Sequence, residues 1–307
     1  MKSRTLLFGA GQGARQYIAN NMLACDVIGF LDNDKTKHGR NFEGLPIYDP
    51  HLLHELEYDQ VVITTQWALE VQEQLLSELK VDSDKVVLPE KNQLKNPVPF
   101  ENPKSIELAR DIIITLSNMA IAKDVQLVID FGTLLGIVRD DDVIPWDDDI
   151  DFSASVDSER EVELICKSFI SKQSSKLSWQ LEKLTNNLKQ TSGFLIKFTD
   201  KNKHYSEFTT SICFRKNEGG NALHMPSLGM WYAPERHFSQ SEKLVWRGHN
   251  LLVPKDYLEY LSFQYGDWQT PKKNIQLSDY ANLRHVSFED IKKAAMSSEL
   301  IKSDTKL

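Results

Sequence analysis

The sequence predicts an α/β protein of two domains, and three observations predict it. Short apolar runs alternate with helical stretches before residue 90 and again after residue 104. Between them, PEKNQLKNPVPFENPK at 89–104 carries four prolines among polar residues, which breaks regular structure because proline lacks an N–H and restricts its predecessor. The length of 307 residues, with 41% hydrophobic residues, suffices for about two cores. The reading divides the chain into a parallel-sheet domain at 1–90, a Pro-rich linker at 91–104, a mixed α/β domain at 105–295 and a polar, frayed tail at 296–307.

In the first domain, TLLF, DVIGFLD, QVVITT and KVVLP read as strands, and GARQYIANNMLA, HLLHELE and ALEVQEQLLSELK as helices. Strand–helix alternation implies a parallel sheet covered by helices. In the second, IELARDIIITLSNMAIAK puts apolar residues at 106, 109, 112, 113, 116 and 120, a helical stripe. VQLVID reads as a strand, TLLGIVR as a short helix and DDIDFSA as a second strand. LSWQLEKL, GFLIKFT, YSEFTTSICF and KLVWRGHNLLV read as further strands, and KDYLEYLSFQY as a closing helix.

Composition narrows the function. The net charge of −8, from 36 Lys+Arg against 44 Asp+Glu, argues against nucleic acid as the main partner. No apolar run approaches the ~20 residues a bilayer requires, and MKSRTLLFGAG lacks a signal-peptide core, so a cytoplasmic protein is expected. Cys25, Cys166 and Cys213 are isolated and read as buried thiols. The scattered His204, His224, His237 and His249 lack ligand spacing. GMWYAPERHF is either an acceptor loop for a sugar ring or interior packing.

Gly9, Gly11, Gly13 and Ala14 follow the first strand in a GxGxxA pattern, where small residues allow a tight turn and let helix amides approach a pyrophosphate. Asp32, at the end of the second strand, is placed either to bind a ribose or to cap a loop. FGAGQGARQYIA followed by DVIGFLDNDKTKHGRNFEGLPIYDP resembles the small Rossmann-like domain in front of several sugar-modifying enzymes. That resemblance implies nucleotide or sugar-nucleotide recognition as readily as NAD.

Seven of the twelve residues from Asp140 to Asp151 are aspartate, in DDDVIPWDDDID. Two carboxylates ~4 Å apart repel by roughly 4 kcal/mol at an effective dielectric near 20, so an organised cluster needs protons, basic partners or a divalent cation. Oxygen-only ligands select magnesium or manganese. In an extended segment Asp147, Asp149 and Asp151 face one way, and Asp148, Ile150 and Phe152 the other. Asp140, Asp141 and Asp142 read as a solvated turn. An acidic loop without a ligand is the plain alternative for the whole run. Against it stands DFGTLLGIVR. Gly132 and Thr133 at a helix start offer amides and a hydroxyl to phosphate oxygens, and Arg139 offers a permanent cation.

GTLLGIVR followed by IPWDDDIDF resembles the signature of the LicD family, which includes phosphocholine transferases of bacterial surface glycans and the fukutin-related ribitol-phosphate transferases. FLIKFTD and LLVPKDYLEYLSFQYGDWQTP extend the resemblance over roughly residues 105–275. It implies a nucleotidyltransferase-like fold and metal-dependent transfer of a phospho-substituent from a CDP-linked donor to a glycan hydroxyl, releasing CMP. Gly132 and Thr133 would then hold donor phosphate, with Arg139 and Lys197 as phosphate cations. Asp147, Asp149 and Asp151 would be the Mg2+ or Mn2+ ligands, with Asp149 and Asp151 central to catalysis. Lys197 reads equally as a solvent-facing strand lysine, and Trp146 as a loop anchor or a base-stacking ring. The resemblance also implies work on glycan assembly at the inner face of the membrane, without an anchor in the chain.

The sequence departs from the family's Ile/Val-Asp-Ile-Phe strand, because TTSICF puts Ser211 where an acid is expected. Glu207 or Asp130, the latter as base, are the candidate replacements. Two rival functions follow: a catalytically inactive nucleotide-binding or scaffold protein of glycan assembly, and an NAD-dependent oxidoreductase built on the glycine loop.

Overall fold

The computed structural model describes residues 2–21, 24–94, 98–173, 176–273, 280, 282–293 and 296–304. The chain forms two compact units, one of Met1–Asn96 with Lys272–Ala281 and the other of Pro97–Pro271 with Asn282–Leu307. Among the described residues, no helix is long and apolar enough to cross a membrane.

The first unit contains β1 (Ser3–Phe8), α1 (Gln12–Asn21), β2 (Cys25–Leu31), β3 (Asn41–Phe42), β4 (Leu45–Tyr48), β5 (Gln60–Ile63), α2 (Ala68–Glu73) and β6 (Val86–Val87). Its sheet runs β3-β4-β2-β1-β5-β6, parallel throughout except at the β3–β4 edge. Leu6, Leu7, Phe30, Val61 and Val62 are fully buried, as expected of parallel strands covered on both faces. HLLHELE forms a 3-10 turn over Pro50–Glu55 rather than a full helix, with Pro50 at its start and the Asp49 carboxylate accepting from His51 N–H.

The second unit contains α3 (Pro103–Ile121), β7 (Val128–Ile129), α4 (Phe131–Asp140), β8 (Asp149–Ser155), α5 (Glu159–Lys172), β9 (Ser178–Asn186), β10 (Thr191–Thr199), β11 (Thr209–Glu218), β12 (Asn221–His224), β13 (Tyr232–Pro234), β14 (Ser241–Trp246), β15 (His249–Pro254), α6 (Tyr257–Tyr265), α7 (Phe288–Lys293) and β16 (Met296–Asp304). The α3 stripe is buried at Ala109, Ile112, Ile113, Leu116 and Ala120, as its spacing predicts. The mixed sheet runs β13-β12-β11-β10-β9-β16, with β8 parallel to β11 and β7 antiparallel to β8.

Three expectations need correction. KLVWRGHNLLV is a β14–β15 hairpin, because Arg247 and Gly248 both take positive φ, the geometry of a tight two-residue turn. The expected frayed tail instead pairs antiparallel with β9 from Met296 to Asp304; residues 305–307 lie outside the described residues. Within the expected linker, α3 already starts at Pro103, capped by the Asn102 side chain accepting from Lys104 N–H, and residues 95–97 lie outside the described residues.

Candidate active site

The site of the second unit is built where α4 starts against β8. Asp149 and Asp151 are partly exposed on one face of β8, while Ile150 and Phe152 are fully buried on the other. Ahead of the strand the chain turns, with Asp147 N–H bonded to Ile144 O. The period of two does not apply in that turn. The close set is therefore Asp147, Asp148 and Asp149, each with one carboxylate oxygen within 4.8 Å of the others, and the expected exclusion of Asp148 is corrected. Asp151 follows on the same face as Asp149.

The first turn of α4 meets this acidic stretch at three points. Gly132 lies so close to Asp147 that an added Cβ would collide with Oδ2. Thr133 Oγ1 accepts from Asp151 N–H at 2.8 Å, and Asp130 N–H donates to Asp151 O at 3.0 Å. Both peptide groups flanking the Asp151 side chain are thereby tied to the 130–133 turn. The Thr133 hydroxyl, expected at a phosphate, is thus engaged by the backbone of β8.

Asp130 is not placed to act as a base. Its Oδ1 accepts from Phe131 N–H (2.7 Å) and Tyr260 Oη (2.6 Å), and its Oδ2 from Ser153 Oγ (2.5 Å) and Arg215 Nη2 (2.6 Å). Burial alone would raise its pKa. The Arg215 charge and the hydrogen bonds from Ser153, Tyr260 and Arg215 outweigh burial and hold it below the ordinary carboxylate value. Sequence reasoning missed Arg215 and Tyr260, which lie 85 and 130 residues from Asp130.

Asp140 and Asp142 are each paired with an arginine, Asp140 while exposed, as expected of a solvated turn, and Asp142 while partly buried. Asp142 takes a fork from Arg110, through Nε at 3.0 Å and through Nη2, and Arg247 approaches it at 3.4 Å. Arg139, expected as a phosphate cation, is engaged by a neighbouring carboxylate. Its guanidinium forks onto Asp140 (2.7 and 2.9 Å) and lies 5.9 Å from the Trp146 ring centroid. Trp146 packs against the core, in line with the loop-anchor reading.

On β11, Ser211 is in register with Asp151, and Thr209 with Asp149, so these four share a face. Lys197 pairs with Thr209 from the other side, which puts it on that same face two strands from the carboxylates. There its Nζ donates to both oxygens of Glu182 at 2.8 Å. Glu207 does not replace the missing acid, because it precedes β11 and accepts from Asp200 N–H. His224 pairs in register with Arg215 and bonds Ser227 Oγ through Nδ1 at 2.9 Å.

In the first unit, Gly9 takes φ of +105°, and a Cβ on Gly13 would collide with Thr64 O, so both glycines serve the close strand–helix crossing. Gly11 meets nothing, and Ala14 is buried in the core. Asp32 Oδ2 accepts from Ala10 N–H at 3.0 Å and from Lys37 Nζ at 2.8 Å, which gives the loop-capping reading of Asp32.

Residues 124–256 match the family model of the LicD/FKTN/FKRP nucleotidyltransferase domain. Over those residues the second unit is similar to the LicD/FKTN/FKRP family. Residues 1–87 match the C2185-like N-terminal domain. No curated protein matches the chain. Among solved structures, UDP-D-quinovosamine 4-dehydrogenase from Vibrio fischeri is 28% identical over 28% of this chain and 76% of its own, with a TM-score of 0.23. ANT(2")-Ia in complex with adenylyl-2"-tobramycin is 16% identical over 51% and 77%, with a TM-score of 0.31. A putative myo-inositol dehydrogenase from Sinorhizobium meliloti 1021 is 10% identical over 82% of each chain, with a TM-score of 0.24. At these scores none of the three bears on activity. The LicD match spans both the α4 turn and the acidic strand β8.

Proposed function

We propose that the LicD domain is a metal-dependent phosphotransferase that moves a phospho-substituent from a CDP-linked donor to a glycan hydroxyl and releases CMP. The observation that carries this reading is the contact between the acidic cluster and the first turn of α4, Gly132 against Asp147 and Thr133 against Asp151. Asp147, Asp148 and Asp149 each offer one carboxylate oxygen within 4.8 Å of the others, an all-oxygen donor set that suits a hard divalent ion, and Asp151, on the same strand face as Asp149, would complete the set. Magnesium or manganese there would offset diphosphate charge as the bond to CMP breaks. The α4 amides at Gly132 and Thr133 are the natural donors to phosphate oxygens, since first-turn N–H groups lack partners within the helix. Lys197, on the same sheet face, would exchange Glu182 for an incoming phosphate. The acceptor stands at a glycan assembled at the inner face of the membrane.

Ser211 in register with Asp151 favours one second reading, a LicD domain that binds nucleotide without turning it over. Product formation separates the two. A mass-spectrometric screen of CDP-linked donors with and without Mg2+ is expected to show metal-dependent CMP release. Asp149→Asn and Asp151→Asn are each expected to abolish it while leaving the thermal transition in place. Unchanged turnover in either variant would sink the proposal, and nucleotide binding without CMP release from any donor would favour the second reading.

A further inference from the structure

We propose that Arg215, Tyr260 and Ser153 are positioning residues of this site. They act through Asp130 to fix the α4 turn against the acidic strand; the inference rests on the function proposed above. Four elements meet at the Asp130 carboxylate: the start of α4 through Phe131 N–H, β8 through Ser153 Oγ, β11 through Arg215 and α6 through Tyr260 Oη. Arg215 binds the other members as well, donating to Tyr260 Oη and Ser153 Oγ at 3.2 Å and to Ala222 O at 3.3 Å. Arg215 and Asp130 are both almost wholly buried.

A buried ion pair is weak evidence for stability, because apolar groups of the same volume often serve as well. What the network supplies and apolar packing does not is direction. Phe131, next to Asp130, has φ of +45°, a left-handed conformation that a bulky residue adopts only when its surroundings impose it. Here they do. Its N–H is held by Asp130, the Arg215 guanidinium lies 5.2 Å from its ring centroid, and the His224 ring meets it edge-on at 5.3 Å. That bend sets Gly132 against Asp147 and Thr133 against the Asp151 amide. One turn is thus gripped by the network through the Asp130 side chain and grips the acidic stretch through the Asp130 amide, Gly132 and Thr133.

The test reads amide hydrogen exchange by NMR in the full chain, Mn2+ binding by electron paramagnetic resonance, and the thermal midpoint. Tyr260→Phe removes one donor to Oδ1, and Ser153→Ala one donor to Oδ2. In each variant the Asp130, Phe131 and Asp151 amides are expected to exchange at least tenfold faster and Mn2+ to bind about tenfold more weakly. Exchange in β9 and β10 stays as in the wild type. A lowered midpoint with uniformly faster exchange and wild-type Mn2+ affinity would mean a merely structural network and would overturn the proposal. So would unchanged exchange at those three amides. Should one variant fail to fold, the other decides. A wild-type protein that binds no Mn2+ refutes the metal reading of the function, while the exchange data still decide whether the turn is held by this network.

Discussion

A methyl group at Gly132 would collide with the tip of the Asp147 side chain, not with backbone. The carboxylate can swing aside, and alanine gains roughly 1 kcal/mol of helix propensity over glycine. Gly132→Ala is therefore expected to leave thermal stability unchanged or slightly raised while weakening Mn2+ binding at least tenfold, a split that titration and a melting curve resolve together. Acid should act on the same neighbourhood in two steps. His224 is pushed down to about 3 by burial and by the nearby Arg215 charge. Its folded pKa lies below its unfolded value of about 6.5, so stability is full above that value and falls by about 1.4 kcal/mol per pH unit as the pH drops toward the folded value. Asp130, also depressed, adds its loss only below the ordinary carboxylate pKa of about 4. Urea midpoints measured from pH 7 to pH 4 should show the first step, and His224→Gln should flatten it. Asp149 and Asp151 were legible in the sequence because Ile150 and Phe152, alternating with them, are core residues. Asp148 was misread because the alternation begins only at Asp149, and Arg215 was illegible because its partner lies 85 positions away.

At the scale of elements, β8 is held between β7 and β11, so the acidic residues sit on a strand paired on both sides. The opposite end of the sheet is less secure. There β16 covers β9, and its sequence MSSELIKSD shows why it reads as a tail. It has few apolar residues, Leu300 is half exposed, and Ile301 alone packs against the core. Pairing partners, not hydrophobicity, define an edge strand, and a partner more than 100 residues away leaves no local trace. The β14–β15 turn was overlooked for a different reason. Arg-Gly can adopt the left-handed pair a tight turn needs, but it is not the Asn-Gly or Asp-Gly pattern that announces one. Removing residues 296–307 would strip β9 of its outer hydrogen-bonding partner, leaving it paired with β10 alone and with a bare edge. The shortened protein is expected to melt several degrees lower and to self-associate on light scattering, while Mn2+ affinity at β8 changes less than twofold. An unchanged midpoint would show that the strand contributes nothing to the sheet.

Over the whole molecule, each unit has its own core. In the first, Leu7, Ala14, Tyr17, Phe30 and Val62 pack together; in the second, α3, α5 and the mixed sheet enclose Ile113, Phe152, Phe169 and Phe194. Separate cores imply separate unfolding transitions, because each buries its apolar surface independently. Gly13 offers a clean test. A Cβ there would strike the backbone carbonyl of Thr64, a residue whose N–H donates to Phe8 O at the end of the β1–β5 ladder, so backbone rather than a flexible side chain would have to move. Gly13→Ala is expected to cost the first unit on the order of 2 kcal/mol, within the 1–3 kcal/mol typical of overpacking. Calorimetry should then show one transition moved down by several degrees and a second left in place. Mn2+ binding measured between the two transition temperatures should survive, because Asp147, Asp148 and Asp149 belong to the unit that remains folded. A single transition that shifts as a whole would instead mean that the two cores unfold together.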